Sequence, residues 1–404
     1  MQGSSIPLDF PERDQIIYKS DNLVALHCKS SEVPSRQLVI AFHALQLTHN
    51  LELPRRGQSR ETLRAAGLDS IQIVPRGNHW YQYADIEAMM AEVRLVAEEY
   101  IETIAYGQSM GAYAAIHTSA LLRPTKILAI CPQFSIDPRK ISFDSGFARL
   151  AASISFIRDD IKKNACQDTE IVIAYDQLLP HDYRHYLEYE RHLKNVYRLR
   201  MPFCGHGVSE ALKEAGMIPG QLIKLITDGK DQINSTRQIF RRHRLRIPKY
   251  QDALRLSLTK WYMKHKKLDK ASDQAFKLYE SNRRFSSLQL YCEVAEKLGT
   301  PERAAARWFF AISIYPKTPP SLSYVRAVKY SRLAGDISIA KTTCLKALTI
   351  YPKDFGLMRE HLDILIQTSD FLGAKKIATE LQDTHGSKAA DVIQNRKTIL
   401  FNKN

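Results

Sequence analysis

Gly107-Gln108-Ser109-Met110-Gly111 joins two segments of opposite character. The run before it, Thr103-Ile104-Ala105-Tyr106, is short, apolar and partly β-branched, which favours a strand. The run after it, Ala112-Tyr113-Ala114-Ala115-Ile116, favours a helix. A chain that passes from strand to helix in so few residues turns sharply, as it does where a parallel sheet hands over to a covering helix. Glycines on both sides let neighbouring backbone occupy the space of a Cβ. The helix begins at the serine, so its unbonded N–H groups and positive dipole end face that hydroxyl.

A serine hydroxyl is a poor nucleophile near neutral pH unless a base takes its proton and an acid orients that base. Downstream, Thr169 to Tyr175 reads as a buried strand ending at Asp176. Asn195 to Met201 reads as another, followed by Pro202-Phe203-Cys204-Gly205-His206-Gly207. A histidine between glycines in such a loop reaches the C-terminal edge of an open parallel sheet, where ligands bind. Asp176 is the expected acid. Asp182 is the reserve, with helix capping as its other role. The G-x-S-x-G turn and the order Ser, Asp, His resemble the α/β-hydrolase superfamily over about residues 20–227, and Asp176-Gln177-Leu178-Leu179-Pro180 resembles the Asp-x-x-x-Pro stretch that often follows its acid-bearing strand. The resemblance implies Ser109 as nucleophile, Asp176 as orienting acid and His206 as general base.

It also implies an oxyanion hole made by the N–H of Met110 and by an N–H following the strand Gln37 to Phe42, which leads into His43 and Ala44. Ala44 stands where a glycine is common, and a backbone donor does not require one. His43 either touches substrate or packs. The loop Pro75-Arg76-Gly77-Asn78-His79-Trp80-Tyr81-Gln82 follows the strand Ser70 to Val74 and suits a polar, ring-bearing substrate, unless Trp80 plugs it. Cys131-Pro132-Gln133-Phe134 follows the strand Lys126 to Ile130 and is placed beside the serine. The expected substrate contacts are His43, Arg76, Trp80 and Gln133. These loops look like those of serine hydrolases found with bacterial polysaccharide and glycosylation systems, which tilts the expected substrate toward an acylated saccharide.

The six cysteines at 28, 131, 166, 204, 292 and 344 are scattered without a C-x-x-C pair, which fits reduced thiols rather than a disulfide frame or zinc site. Cys204 reads as a packed neighbour of the His206 loop rather than a nucleophile. His181, His185 and His192 lie on one expected helix, 182–193, without an H-E-x-x-H glutamate, and read as surface histidines. No metal and no cofactor is expected. No run of about 18 apolar residues occurs, so no membrane span is expected. The segment Met1 to Arg13 lacks the layout of a signal peptide, and a cytoplasmic location follows as the simplest expectation.

Beyond residue 250 strand patterning stops and a period appears. Phe309 to Lys317 recurs as Leu345 to Lys353, 36 residues on, and Ala340-Lys341 recurs as Ala374-Lys375, 34 on. Small residues at helix crossings and proline after the second helix, at Pro316 and Pro352, resemble degenerate tetratricopeptide repeats over about 250–385. The expected helix pairs are 250–265 with 271–281, 284–298 with 304–315, 321–334 with 339–351, and 355–368 with 373–383. The resemblance implies a solenoid that binds a protein partner, or one that serves only as a stabilising lid.

The net charge of +15 is concentrated in Arg237 to Lys270, most densely at Arg241-Arg242-His243-Arg244-Leu245-Arg246. No stacking aromatics interleave with it, so a solvated linker or a face for an acidic partner is expected rather than nucleic-acid binding. The expected organisation is an α/β-hydrolase domain over 1–230, with a mostly parallel sheet flanked by helices. A basic linker follows over 231–249, then a tetratricopeptide-like helical domain over 250–385 and a tail over 386–404. The expected function is that of an esterase or thioesterase working through an acyl-enzyme. Acyl transfer to a saccharide by the same triad, and a non-catalytic interaction scaffold, are the alternatives.

Overall fold

The computed structural model describes residues 14–33, 35–46, 52–315 and 317–397. The chain divides into two compact units, Met1–Gln251 and Asp252–Asn404. The first holds an eight-stranded, mostly parallel sheet flanked by helices, and the second is a tetratricopeptide-like run of helices.

The strands are β1 Asp14–Lys19, β2 Leu23–Cys28, β3 Gln37–Phe42, β4 Asp69–Pro75, β5 Glu102–Gln108, β6 Lys126–Ile130, β7 Glu170–Tyr175 and β8 Val196–Arg200. Their order across the sheet is β1-β2-β4-β3-β5-β6-β7-β8. β3 through β8 run parallel, while β2 is antiparallel to β4 and β1 to β2. The near-continuous apolar runs of β3 and β7 are those of strands covered on both faces, and every residue after the first in each is buried. The β1–β2 hairpin has only a faint sequence signal, Ser20-Asp21-Asn22, in which the Ser20 hydroxyl accepts from the N–H groups of Asn22 and Leu23.

Strand order fixes where chemistry can occur. From β3 the chain moves outward to β4 and then returns to the other side of β3 as β5. The loops leaving β3 and β5 therefore diverge, and the gap between them lies at the C-terminal edge. Phe42 at the end of β3 pairs with Gly107 near the end of β5, so His43-Ala44 and Ser109 leave the sheet side by side. The helix after Ser109, Met110–His117, is buried at every residue. Its alanines let it sit close on β3, β5 and β6, and fully burying a side chain such as Ile116 contributes ~2 kcal/mol.

Residues 231–249 are not a linker. They carry the helix Ile233–His243 and a short turn of helix, Arg244–Arg246. Ile233, Thr236 and Phe240 form its buried stripe, and the Phe240 ring meets that of Tyr250 at 6.0 Å. High charge on the outer face concealed that amphipathic period.

In the second unit, helices pair at Phe285–Lys297 with Pro301–Ser313, Ser321–Leu333 with Ile337–Ile350, and Phe355–Gln367 with Phe371–His385, after an opening pair at Pro248–Lys264 and Leu268–Asn282. Each second helix starts about a turn earlier than expected, because Leu268, Pro301, Ile337 and Phe371 already lie in the first turn. Ala305, Ala340 and Ala374 are buried, as close helix crossings require. The expected tail holds one more helix, Ser387–Gln394, with Ala389 buried. Met1 to Arg13, Pro316 and residues 398–404 lie outside the described residues. Among the described residues no helix is long and apolar enough to cross a membrane.

Candidate active site

Ser109 stands between β5 and its helix with φ 51° and ψ −119°. A non-glycine residue in this left-handed region costs ~1–3 kcal/mol and persists only where surrounding packing imposes it. Here the imposition is visible. The Ser109 N–H donates to Ile130 O at 2.8 Å, which ties the turn to β6. A Cβ on Gly111 would stand 2.3 Å from Phe42 O, and one on Gly107 would stand 2.3 Å from the Gly111 carbonyl carbon. Both glycines of the motif are thus required by contact.

Ser109 Oγ lies 3.0 Å from His206 Nε2. His206 Nδ1 lies 3.0 Å and 3.2 Å from the two carboxylate oxygens of Asp182. Asp182, not Asp176, faces the histidine, which corrects the assignment expected from the Asp-x-x-x-Pro resemblance. Asp176 instead builds the histidine's loop. Its carboxylate accepts from the N–H of Gly205 at 2.8 Å and of Leu178 at 2.9 Å. Both of its oxygens are spent on backbone, and burial raises its pKa. Asp182 lies in the first turn of Pro180–His192 and is buried, so its second expected role, helix capping, yields to the contact with His206. Burial pulls the His206 pKa down, but the hydrogen bond and charge of Asp182 outweigh it and the net direction is upward.

Met110 is the first residue of its helix, so its N–H has no partner within that helix. The His43 N–H is used by Ile73 O at 3.1 Å, and the next amide along is that of Ala44. Asn78 braces this loop: its Oδ1 accepts from Gln46 N–H at 2.9 Å and its Nδ2 donates to Gln46 O at 2.8 Å. The Tyr81 hydroxyl donates to His43 O at 2.9 Å. Asn78 and Tyr81 were legible only as members of a polar loop, because their partners lie more than 30 residues away.

Gln133 reaches the serine, with its Nε2 3.2 Å from Ser109 Oγ and 3.3 Å from His206 Nε2. Its loop is fastened by two groups of the Pro180–His192 helix. Tyr189 donates its hydroxyl hydrogen to Gln133 O at 2.7 Å, and His185 Nδ1 accepts from Phe134 N–H at 3.1 Å. His185 is 1% exposed and its Nε2 faces Asp144 at 3.1 Å, so it is a buried brace and not a surface histidine.

Of the other expected contacts, His43 is buried and its pKa is lowered to about 4 by burial and by Arg55. It lines a cavity of about 180 Å³ together with Gln108. Arg76 is exposed and lines a second cavity with Asn22, His79 and Tyr83. Trp80 is 0% exposed, packs in the core against Phe147 at 5.0 Å, and offers no surface to a substrate. Of the two expectations for this loop the plug is the one seen, with the indole in the apolar core.

Cys204 is buried, and burial raises its thiol pKa, as suits a packed neighbour. Cys131 is buried, and burial and the neighbouring Asp182 carboxylate both raise its thiol pKa. The ligand atoms of Cys131, Asp182 and His206 lie within 4.8 Å of one another, the one such group among the described residues that could hold a metal ion. Within that group His206 Nδ1 is directed at Asp182.

No protein-family model and no curated protein matches the chain. Among solved structures it is similar to the capsule O-acetyltransferase of Neisseria meningitidis serogroup A, at 10% identity over 47% of this chain and 87% of that one, with a TM-score of 0.35. It is similar to an α/β serine hydrolase without lid from Xanthomonas campestris, at 16% identity over 49% and 87% of the two chains and a TM-score of 0.31. It is also similar to pilF of Pseudomonas aeruginosa, at 17% identity over 48% and 89% and a TM-score of 0.31.

Proposed function

We propose that the first unit is a serine esterase that works through an acyl-enzyme, with Ser109 as nucleophile, His206 as general base and acid, and Asp182 as the group that orients and stabilises His206. The observation that carries this reading is the continuous line from Ser109 Oγ to His206 Nε2 at 3.0 Å and from His206 Nδ1 to Asp182 at 3.0 Å. Asp182 holds the proton on Nδ1, which leaves Nε2 free to accept. As Ser109 Oγ bonds to the ester carbonyl carbon, its proton passes to Nε2 and the carbonyl π electrons move onto oxygen. The N–H groups of Met110 and Ala44 are assigned to that oxyanion, where removal of one such donor costs about 10²–10³-fold in rate. Collapse expels the alcohol, which takes the proton from Nε2. Water then repeats the sequence on the acyl-serine and releases the acid.

Gln133 is assigned to holding the Ser109 hydroxyl in line, on the strength of its 3.2 Å contact. The helical unit is assigned to binding a protein partner, since Phe310, Ile314, Leu345 and Ile350 remain exposed on its helices. An acylated saccharide is the proposed substrate class. The test is a fluorophosphonate probe on the whole protein. Labelling at Ser109 that disappears in Ser109→Ala and falls steeply in His206→Ala supports the enzyme, and an unlabelled wild type leaves only a scaffold.

A further inference from the structure

Five guanidinium groups converge on one cavity of about 350 Å³ in the first unit. Arg198 and Arg200 lie two apart on β8, so both project from the same face of the strand while Leu199 between them is buried. Arg237, Arg241 and Arg244 follow at helical spacing across Ile233–His243 and the turn after it, so they form one stripe. The arginine face of the strand and the arginine stripe of the helix line the same space. Gln177, the residue after Asp176, completes the lining, and its Oε1 is buried without a hydrogen-bond partner.

This gathering is unfavourable as it stands. Among the described residues none of the five arginines has a carboxylate within ion-pairing distance, although ion pairs are made by eleven other arginines. Arg237 feels both effects, since burial and the charges of Arg200, Arg198 and Arg241 all depress its pKa. Like charges brought together without counter-charges lose free energy that a bound anion returns. The guanidinium fork matches phosphate oxygens two at a time, and five forks in one cavity exceed the needs of a single monovalent anion. Among the described residues that line the space the one aromatic, Phe240, is 2% exposed and offers no face for base stacking.

We propose that this cavity binds the diphosphate group of a small molecule. The anion site rests on the arginine geometry alone, and the choice of its two carriers rests on the acyl-enzyme reading of Ser109. Diphosphates reach an acyl-handling protein from two sources, an acyl donor built on coenzyme A and a nucleotide-activated sugar, and both offer the same group to these arginines.

The experiment is titration calorimetry of the whole protein with inorganic pyrophosphate, then competition by coenzyme A and by UDP-glucose. Arg198→Gln and Arg241→Gln change exposed side chains, and each is expected to weaken pyrophosphate binding about tenfold or more, the worth of a charged hydrogen bond. Arg242→Gln removes the same charge from the neighbouring position, which does not line the cavity, and is expected to leave affinity within about twofold. Thermal melting of each variant verifies that it is folded. Competition by coenzyme A at the lower concentration assigns the site to the acyl donor, and competition by UDP-glucose assigns it to the sugar. The proposal is overturned if wild type shows no binding, if Arg242→Gln weakens it as much as the lining variants, or if sulfate competes as well as pyrophosphate. It is also overturned if neither carrier competes, or if a single-stranded oligonucleotide binds more tightly than either.

Discussion

Asp182→Asn is the substitution that separates the two carboxylates beside His206. During acylation His206 becomes an imidazolium facing Asp182 across 3.0 Å. With charge centres about 4 Å apart and an effective dielectric of about 20, their attraction is ~4 kcal/mol. His206 is 38% exposed, so screening reduces this to ~3 kcal/mol, roughly 10²-fold in rate. The amide adds a second loss, because its NH2 donates to Nδ1 and drives the proton to Nε2, where Ser109 needs an acceptor. Together they predict a fall in kcat of about 10³-fold or more. Asp176→Asn keeps an acceptor oxygen but turns an NH2 toward one of the two backbone N–H groups that Asp176 now receives. The expected cost is ~1–3 kcal/mol of stability. Its kcat should stay within about tenfold, because triad membership, not loop bracing, carries the large effects. The assay is p-nitrophenyl acetate hydrolysis with thermal melting alongside. If Asp176→Asn loses activity as severely as Asp182→Asn, or if Asp182→Asn keeps kcat within tenfold, the assignment of Asp182 is wrong.

The pH profile gives a related check. His206 must be neutral to act as base and its pKa is raised by Asp182, so activity should fall as pH drops through a value above the ordinary 6.5. In Asp182→Asn burial is opposed only by the smaller effects of Asp144 and Glu210, and the acid limb should move to lower pH. Gly111→Ala would place a Cβ 2.3 Å from Phe42 O, so it should abolish soluble expression or probe labelling. Ala340→Leu should overpack the site lined by Val328, Cys344 and Ile364 and destabilise the protein by ~1–3 kcal/mol, seen as a lower melting temperature. A chain ending at residue 251 should fold and label at Ser109, whereas one ending at 235 cuts the Ile233–His243 helix before Phe240, removes a buried ring, and should aggregate.

Most of the sheet was legible because strands buried on both faces leave long apolar runs, as at Gln37–Phe42 and Lys126–Ile130, where the expected bounds are the observed ones. The helix pairs were legible from a period that repeats. The site was legible only where chemistry follows chain order. Ser109 and His206, which the structure brings to 3.0 Å of each other, stood out in the sequence because each sits between glycines beside a strand end. Asp176 and Asp182 were both candidates because two carboxylates stand on the way out of β7, and which one faces the histidine depends on how the loop folds back. Asp176 is consumed by Gly205 and Leu178, backbone partners that leave no mark in side-chain pattern. Trp80 had two open readings for the opposite reason: its neighbours in sequence are polar, and its neighbours in space are not. The stretch at 231–249 was misread because its charges outnumber the four side chains that bury, Ile233, Thr236, Phe240 and Ile247.

β8 ends the sheet, with β7 on one side and no further strand on the other. An open edge offers unpaired peptide groups to any extended chain, including another copy of the same protein, and charge on the edge is the usual protection against such pairing. Arg198 and Arg200 provide that charge, and the Arg237 side chain donates to Arg198 O, which removes one acceptor from the edge. The arginines that gather an anion therefore also keep the sheet from growing. Neutralising Arg198 and Arg200 together strips the edge of its repulsion, and turbidity on concentration would register the change before any loss of fold.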